Sequence, residues 1–147
     1  MNTIAVNYEN CETTLSNEKL SKFCMNILYF LEISNWEISV LICNNTLIKE
    51  LNNKYRNVNE STDVLSFNQE LIPLDNVIYA GDIVISLETV KQHANSFNVS
   101  IDEELKRVLI HGILHLKGMD HETNSSDEEM LVLQEKILSI ISGDTLV

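Results

Sequence analysis

Residues 111–121 read His111-Gly112-Ile113-Leu114-His115-Leu116-Lys117-Gly118-Met119-Asp120-His121, and the rest of the chain is best read outward from them. His111 and His115 are spaced so that, on a helix, they stand one turn above each other on one face. Gly118 offers the left-handed conformation that ends a helix and turns the chain back. His121 then returns to the point on which the first two imidazoles converge. Three neutral imidazoles, with a fourth position left to water, make the geometry of a catalytic zinc site. Of the 4 histidines in the chain, 3 fall in this window. A helix C-terminus merely decorated with imidazoles to suit its dipole would not need that clustering.

The spacing matches the long metalloprotease pattern H-E-x-x-H-x-x-G-x-x-H at every position but one. Where those enzymes carry the glutamate that serves as general base, this chain has Gly112. Glycine takes no proton. The spacing therefore argues for a hydrolytic metal site, and the missing carboxylate argues against peptide hydrolysis.

Upstream of the histidines, Ser100 with Glu103 makes a capping box for the helix that carries them. Leu105, Val108, Leu109, Gly112 and Leu116 form its core-facing stripe, with Arg107, His111 and His115 on an adjacent face. Earlier still, Thr3–Tyr8 alternates as a strand, and Ser16 caps a helix to about Ile33 whose stripe is Leu20, Phe23, Cys24, Ile27, Leu28 and Leu31. Trp36–Cys43 is a strand with Trp36, Ile38, Val40 and Ile42 on one face. Asn44 or Asn45 caps a helix through Arg56, with Leu47, Leu51 and Tyr55 spaced for burial. Residues 57–61 form a polar turn. Val64–Phe67 is a strand, 69–77 a loop holding Pro73, Tyr79–Ile85 a strand, and Ser86 starts a helix to about Phe97. Downstream, Ser125 with Glu128 makes a second capping box for a last helix to about Ser142. The expected fold is α/β (α+β): one small mixed sheet packed with helices, and a zincin-like metal site at a helix C-terminus.

At 147 residues, 44% hydrophobic and 22% charged, the chain is expected to be one soluble domain, residues 1–147. It lacks an apolar run of membrane-spanning length, and residues 1–10 lack a basic start and an apolar h-region. A cytoplasmic place is the expectation. Cys11, Cys24 and Cys43 form no CxxC pair and no disulfide framework. The net charge of -12, with only 10 Lys and Arg, argues on composition alone against a nucleic-acid partner. Any phosphate-binding surface must be local. Lys49, Lys54 and Arg56 on one helix, with Lys106 and Arg107 beside the histidines, would make such a lining.

The stretch His-Gly-Ile-Leu-His-Leu-Lys-Gly-Met-Asp-His resembles the H-G-x-L-H-L-x-G-x-D-H signature of the YbeY endoribonucleases, bacterial rRNA maturation factors. Leu51-Asn52-Asn53-Lys54-Tyr55-Arg56 followed by Thr62-Asp63-Val64-Leu65-Ser66-Phe67, and Gly81-Asp82-Ile83-Val84-Ile85-Ser86, fit the same family in order and spacing. Met119 stands where an aromatic is common, and Asn59-Glu60-Ser61 replaces a charged, proline-containing approach. The resemblance implies a metal-dependent, single-strand-specific endoribonuclease. It would act in 16S rRNA 3′-end maturation and ribosome quality control by metal-activated water attack on a phosphodiester. Its partners would be single-stranded RNA, the small ribosomal subunit and assembly factors, with no DNA and no membrane.

The expected ligands of one Zn2+ per chain are His111, His115 and His121, although imidazoles also accept nickel or iron. Arg56 sits where the resemblance implies an arginine required beside the metal. A guanidinium can grip two phosphate oxygens and stabilise charge on the transition state. Asp120 either orients a ligand imidazole or satisfies the turn backbone. Asp63 and Asp82 either line the cleft or serve the strands, Asp82 needing a partner if buried. His93 is expected to face solvent. Two other readings remain open: a zincin-type metallopeptidase, and a non-catalytic ribosome-assembly factor with a structural metal.

Overall fold

The computed structural model describes residues 1–12, 15–69, 76–121, 125, 128–141 and 143–147. Among them lie β1 (Thr3–Tyr8), α1 (Asn17–Phe30), β2 (Trp36–Cys43), α2 (Asn45–Arg56), β3 (Val64–Asn68), β4 (Ile78–Ser86), α3 (Leu87–Phe97), α4 (Ile101–Leu116) and α5 (Glu129–Ile140). The strands make one sheet in the order β1-β2-β4-β3. β1, β2 and β4 run parallel, and β3 is an antiparallel edge strand on β4. The mixed α/β architecture is the one expected.

Burial explains the pattern strand by strand. Trp36, Ile38, Val40 and Ile42 of β2 face the main core with Leu20, Phe23 and Ile27 of α1 and Leu109 and Ile113 of α4. Each such buried aliphatic side chain stabilises the fold by about 1.5–3 kcal/mol. The opposite face of the sheet carries a smaller cluster of Cys43, Leu65 and Val84 under Ile48 of α2.

Serine and asparagine caps set the helix starts, as their sequence positions imply. Ser16, Asn44, Ser86 and Ser100 each accept a hydrogen bond from the backbone N–H three residues on. Ends differ more. α1 stops at Phe30 rather than Ile33 because Glu32 takes a left-handed conformation and its N–H donates to the Tyr29 carbonyl. α5 begins after Glu128, not at a Ser125 cap. A turn from the Glu128 N–H to the Ser125 carbonyl precedes it, and it ends at Ile140. Ser142 and the loop residues 70–75, Pro73 included, lie outside the described residues.

Two buried faces also depart from expectation. α2 buries Ile48 and Asn52, while Leu47 and Leu51 are half-buried and Tyr55 is exposed. Asn52 spends its burial on the following turn, its amide donating to the Glu60 carbonyl at 3.0 Å. α4 has no single stripe: Ile110, Ile113 and Leu114 are buried as fully as Leu105 and Leu109. The helix packs on the sheet and on α1, α3 and α5, so it is covered on several sides, the charged Glu104 and Lys106 included.

β4 carries a bulge opposite the start of β2. Glu37 pairs with Tyr79 and Ile38 with Gly81, so Ala80 is the extra residue. Gly81 has φ +145°, and a Cβ there would sit 2.2 Å from the Phe67 carbonyl oxygen. Only glycine lets β3 close on β4 at this point.

Candidate metal centre

The C-terminus of α4 is built to bring three imidazoles together. The Gly118 N–H donates to the His115 carbonyl and the Met119 N–H to the Leu114 carbonyl, the paired bonds of a Schellman end, with Gly118 at φ +102°. Asn68 of β3 donates its side-chain amide to the His115 and Leu116 carbonyls at 3.0 and 3.2 Å, pinning this end to the edge strand. The chain turns back, and one ligand atom from each of His111, His115 and His121 falls within 4.8 Å of the others.

The ring orientations of the two helix histidines are fixed from behind. His115 Nδ1 lies 3.0 Å from the Met119 carbonyl oxygen, a pure acceptor, so this nitrogen carries the hydrogen. His111 Nδ1 lies 2.6 Å from Gln134 Oε1. The orientation of that amide is settled by its other end, since Gln134 Nε2 donates to the Glu135 carboxylate at 3.0 Å. His111 is therefore also the Nδ1–H tautomer. Both Nε2 lone pairs then face each other at 3.0 Å. Two facing lone pairs repel, and a cation between them removes the repulsion. The donor set fits a borderline divalent ion of the zinc class. Burial lowers the pKa of His111 and of His115, which keeps both rings neutral and ready to bind.

Behind Gln134 stands a charged network. Arg107 holds Glu135 with two bonds of 2.9 and 3.1 Å, Glu104 at 2.7 Å and Glu103 at 3.3 Å. Lys106 pairs with Asp102 at 2.9 Å. These contacts correct the expected basic lining: Lys106 and Arg107 are committed to carboxylates of this chain.

Arg56 does come to the histidines. It lines a cavity of about 240 Å³ with Ser66, Asn68, His111, His115 and Asp120. The Ser66 carbonyl accepts one of its N–H donors at 2.6 Å and aims the guanidinium. The Asp120 carboxylate accepts from the His121 backbone N–H at 2.8 Å, the turn arrangement. Orientation of His111 and His115 falls instead to Gln134 and Met119.

Asp63 receives the Val64 N–H at 2.8 Å and faces His93 Nδ1 across 3.5 Å. Both line a second cavity, of about 540 Å³, together with Glu104, Arg107, His111 and His121. His93 is thus half-buried beside the site rather than turned to solvent. Asp82 finds its partner in the Tyr79 hydroxyl, 2.6 Å away, and lines a different cavity with Tyr55 and Phe67. Gly112 packs against β4: a Cβ there would lie 2.9 Å from Ile83 Cγ2. The cysteines are free thiols, and burial pushes Cys24 and Cys43 up to about 12. Neither is a ready ligand.

Gln134 is the residue that sequence reasoning missed. Its position on an amphipathic helix gives no sign of a partner on α4; only the α4–α5 packing makes the pair.

An α/β domain with three converging imidazoles at a helix end and an arginine beside them is the class that fold and site define. The family model for endoribonuclease YbeY matches residues 5–142. Endoribonuclease YbeY of Borreliella burgdorferi (strain ZS7) is 53% identical over 125 residues, covering 79% of this chain and 81% of that protein. The Treponema denticola protein of the same name is 43% identical over 142 residues, covering 93% and 92%. A solution structure of TM1509 from Thermotoga maritima superposes with a TM-score of 0.61 at 30% identity, covering 95% of this chain and 89% of that one. The chain belongs to the YbeY endoribonuclease family, and this membership supports an RNA-cleaving role.

Proposed function

We propose that this chain is a metal-dependent, single-strand-specific endoribonuclease, folded as one hydrolase domain and working in the cytoplasm. Its substrate would be rRNA on the small ribosomal subunit, in 16S 3′-end maturation and ribosome quality control alongside assembly factors. The observation that carries the metal-dependent part is the pair of fixed Nε2 lone pairs at 3.0 Å, with His121 closing the group and Arg56 lining the same cavity.

His111, His115 and His121 would hold the ion. A bound zinc-class ion supplies Lewis acidity toward water and toward a phosphoryl oxygen. Arg56 binds a nonbridging phosphate oxygen and offsets the charge that builds as water attacks phosphorus and the leaving oxygen departs. The Ser66 carbonyl holds that guanidinium in advance, so little ordering remains at the moment of reaction. Asp63 lines the neighbouring cavity and Asp120 the one that holds Arg56, and both add negative charge near the imidazoles, which favours binding of a cation. A peptidase reading is disfavoured by packing as well as by composition. The place where a general-base side chain would begin at residue 112 is closed by Ile83.

Cleavage of labelled single-stranded RNA tests the proposal, with and without chelator, beside His115→Ala and Arg56→Ala prepared identically. Loss of cleavage in all three conditions is expected, with the fold retained by circular dichroism. Equal cleavage by wild type and both variants would refute it, and unfolding by chelator alone would mark the metal as structural.

A further inference from the structure

We propose that Tyr55 and Phe97 are stacking platforms for two bases of a single-stranded RNA, one on each side of the histidine cluster. The inference rests on the endoribonuclease reading and adds how the strand is held.

Three cavities follow one another across the molecule. The first, of about 540 Å³, has Phe97 and His93 in its wall and reaches His111 and His121. The second, of about 240 Å³, shares His111 and Val64 with the first and contains Arg56 and Asn68. The third, of about 630 Å³, shares Asn68 with the second and is bordered by Tyr55 and Phe67. The imidazoles and Arg56 lie in the middle of this series, with an aromatic ring toward either end.

Both rings stand in water although a large aromatic gains by burial: Tyr55 is 59% exposed and Phe97 61%. Neither is loose. Phe67 meets Tyr55 edge-on with ring centroids 5.4 Å apart, and His93 tilts against Phe97 at 5.6 Å. The ammonium of Lys54 lies 5.1 Å from the Tyr55 ring centre, and the Arg56 guanidinium lies 5.6 Å from that of Phe67. Two cations therefore flank the aromatic pair at the Tyr55 end, the composition that suits a sugar–phosphate chain with splayed bases.

The charge of the chain makes stacking the larger contribution. Lys106 and Arg107, on the histidine helix, are neutralised by Asp102, Glu103, Glu104 and Glu135. A chain of net charge -12 gains little from phosphate attraction. Base–aromatic stacking needs no charge, accepts any base, and is denied to bases already stacked inside a duplex. It thus accounts for binding and for single-strand preference together.

The test is steady-state cleavage of a short single-stranded RNA in which one abasic nucleotide is walked through the sequence. Wild-type KM is expected to rise at two positions, one on each side of the cleaved bond, by about 5- to 150-fold at each. Tyr55→Ala should raise KM similarly on intact RNA and become insensitive at one of those positions, and Phe97→Ala at the other. Tyr55→Trp and Phe97→Tyr should bring KM back. Tyr29→Ala is the control: that ring is 86% exposed, but its cavity shares no described lining residue with these three. Cleavage by wild type with a flat abasic profile, or with KM unmoved in both alanine variants, would overturn the platforms and leave the nuclease reading standing. Wild type that cleaves no RNA when loaded with zinc or manganese would overturn the reading and the platforms with it.

Discussion

Gln134 sets the direction of a hydrogen-bond chain that ends at the lone pair of His111. Arg107 can only donate and the Glu135 carboxylate only accepts, so the amide of Gln134 has one orientation and His111 one tautomer. Removing the acceptor frees the ring to rotate or to place its hydrogen on Nε2, where it blocks a metal. Outer hydrogen bonds of this kind typically change metal affinity by about 10- to 100-fold. Gln134→Leu should weaken zinc binding by that amount in competition with a chromophoric chelator, while Gln134→Glu, which keeps an acceptor, should bind at least as tightly as wild type. Nitrogen-15 spectra of the metal-free protein give an independent reading, with His111 moving from the Nδ1–H form only in the leucine variant. Equal zinc affinity in both variants would refute the role. The histidines were legible because their partners are close in sequence and their spacing is itself the signal. Gln134 was not, because its partner lies 23 residues away on another helix.

At the scale of the element, α4 carries a buried charge among its apolar residues. Glu104 is only 3% exposed, and its carboxyl is raised above the ordinary 4.5, chiefly by burial and against the pull of Arg107. Between the ordinary value and the raised one, the folded chain holds more protons at this site than the unfolded chain. Stability from this group therefore falls as pH rises through that window, and above it the cost stays constant. Glu104→Gln removes the dependence. The melting temperature of the variant relative to wild type should rise from pH 4.5 upward and then level. A difference that stays flat, or runs the other way, would show that Arg107 compensates the carboxylate fully. The same helix shows where sequence periodicity runs out. Caps at Ser16, Asn44, Ser86 and Ser100 were readable because a cap is a local bond between residues three apart. The single stripe expected for α4 failed because burial on every side is decided by α1, α3 and α5. α2 likewise buries Ile48 and Asn52 and leaves Tyr55 in solvent, although the spacing of Tyr55 with Leu47 and Leu51 suits burial.

For the whole molecule the governing quantity is charge. With 22 acidic and 10 basic residues the chain repels a polyanion at long range. Of the basic residues expected near the site, Lys106 and Arg107 are tied to carboxylates, which leaves Lys54 and Arg56 beside the cavities and Lys49 further up the same helix. RNA affinity should therefore fall only shallowly with salt. Single-strand binding weakens with a slope of about −0.7 per neutralised phosphate, so about two or three contacts give a slope of roughly −1.4 to −2.1. Between 50 and 200 mM salt that is a loss of about 7- to 18-fold, whereas five contacts would cost on the order of 100-fold. Screening of the chain's own negative field flattens the dependence further. Measuring KM for a single-stranded RNA across this range, with zinc saturating, separates the two cases. A shallow slope that Lys54→Ala reduces by about one contact supports a strand held mainly by Arg56 and by stacking. A steep slope would mean that Arg107 leaves Glu135 when RNA arrives, and would then predict weaker metal binding in the RNA complex through Gln134.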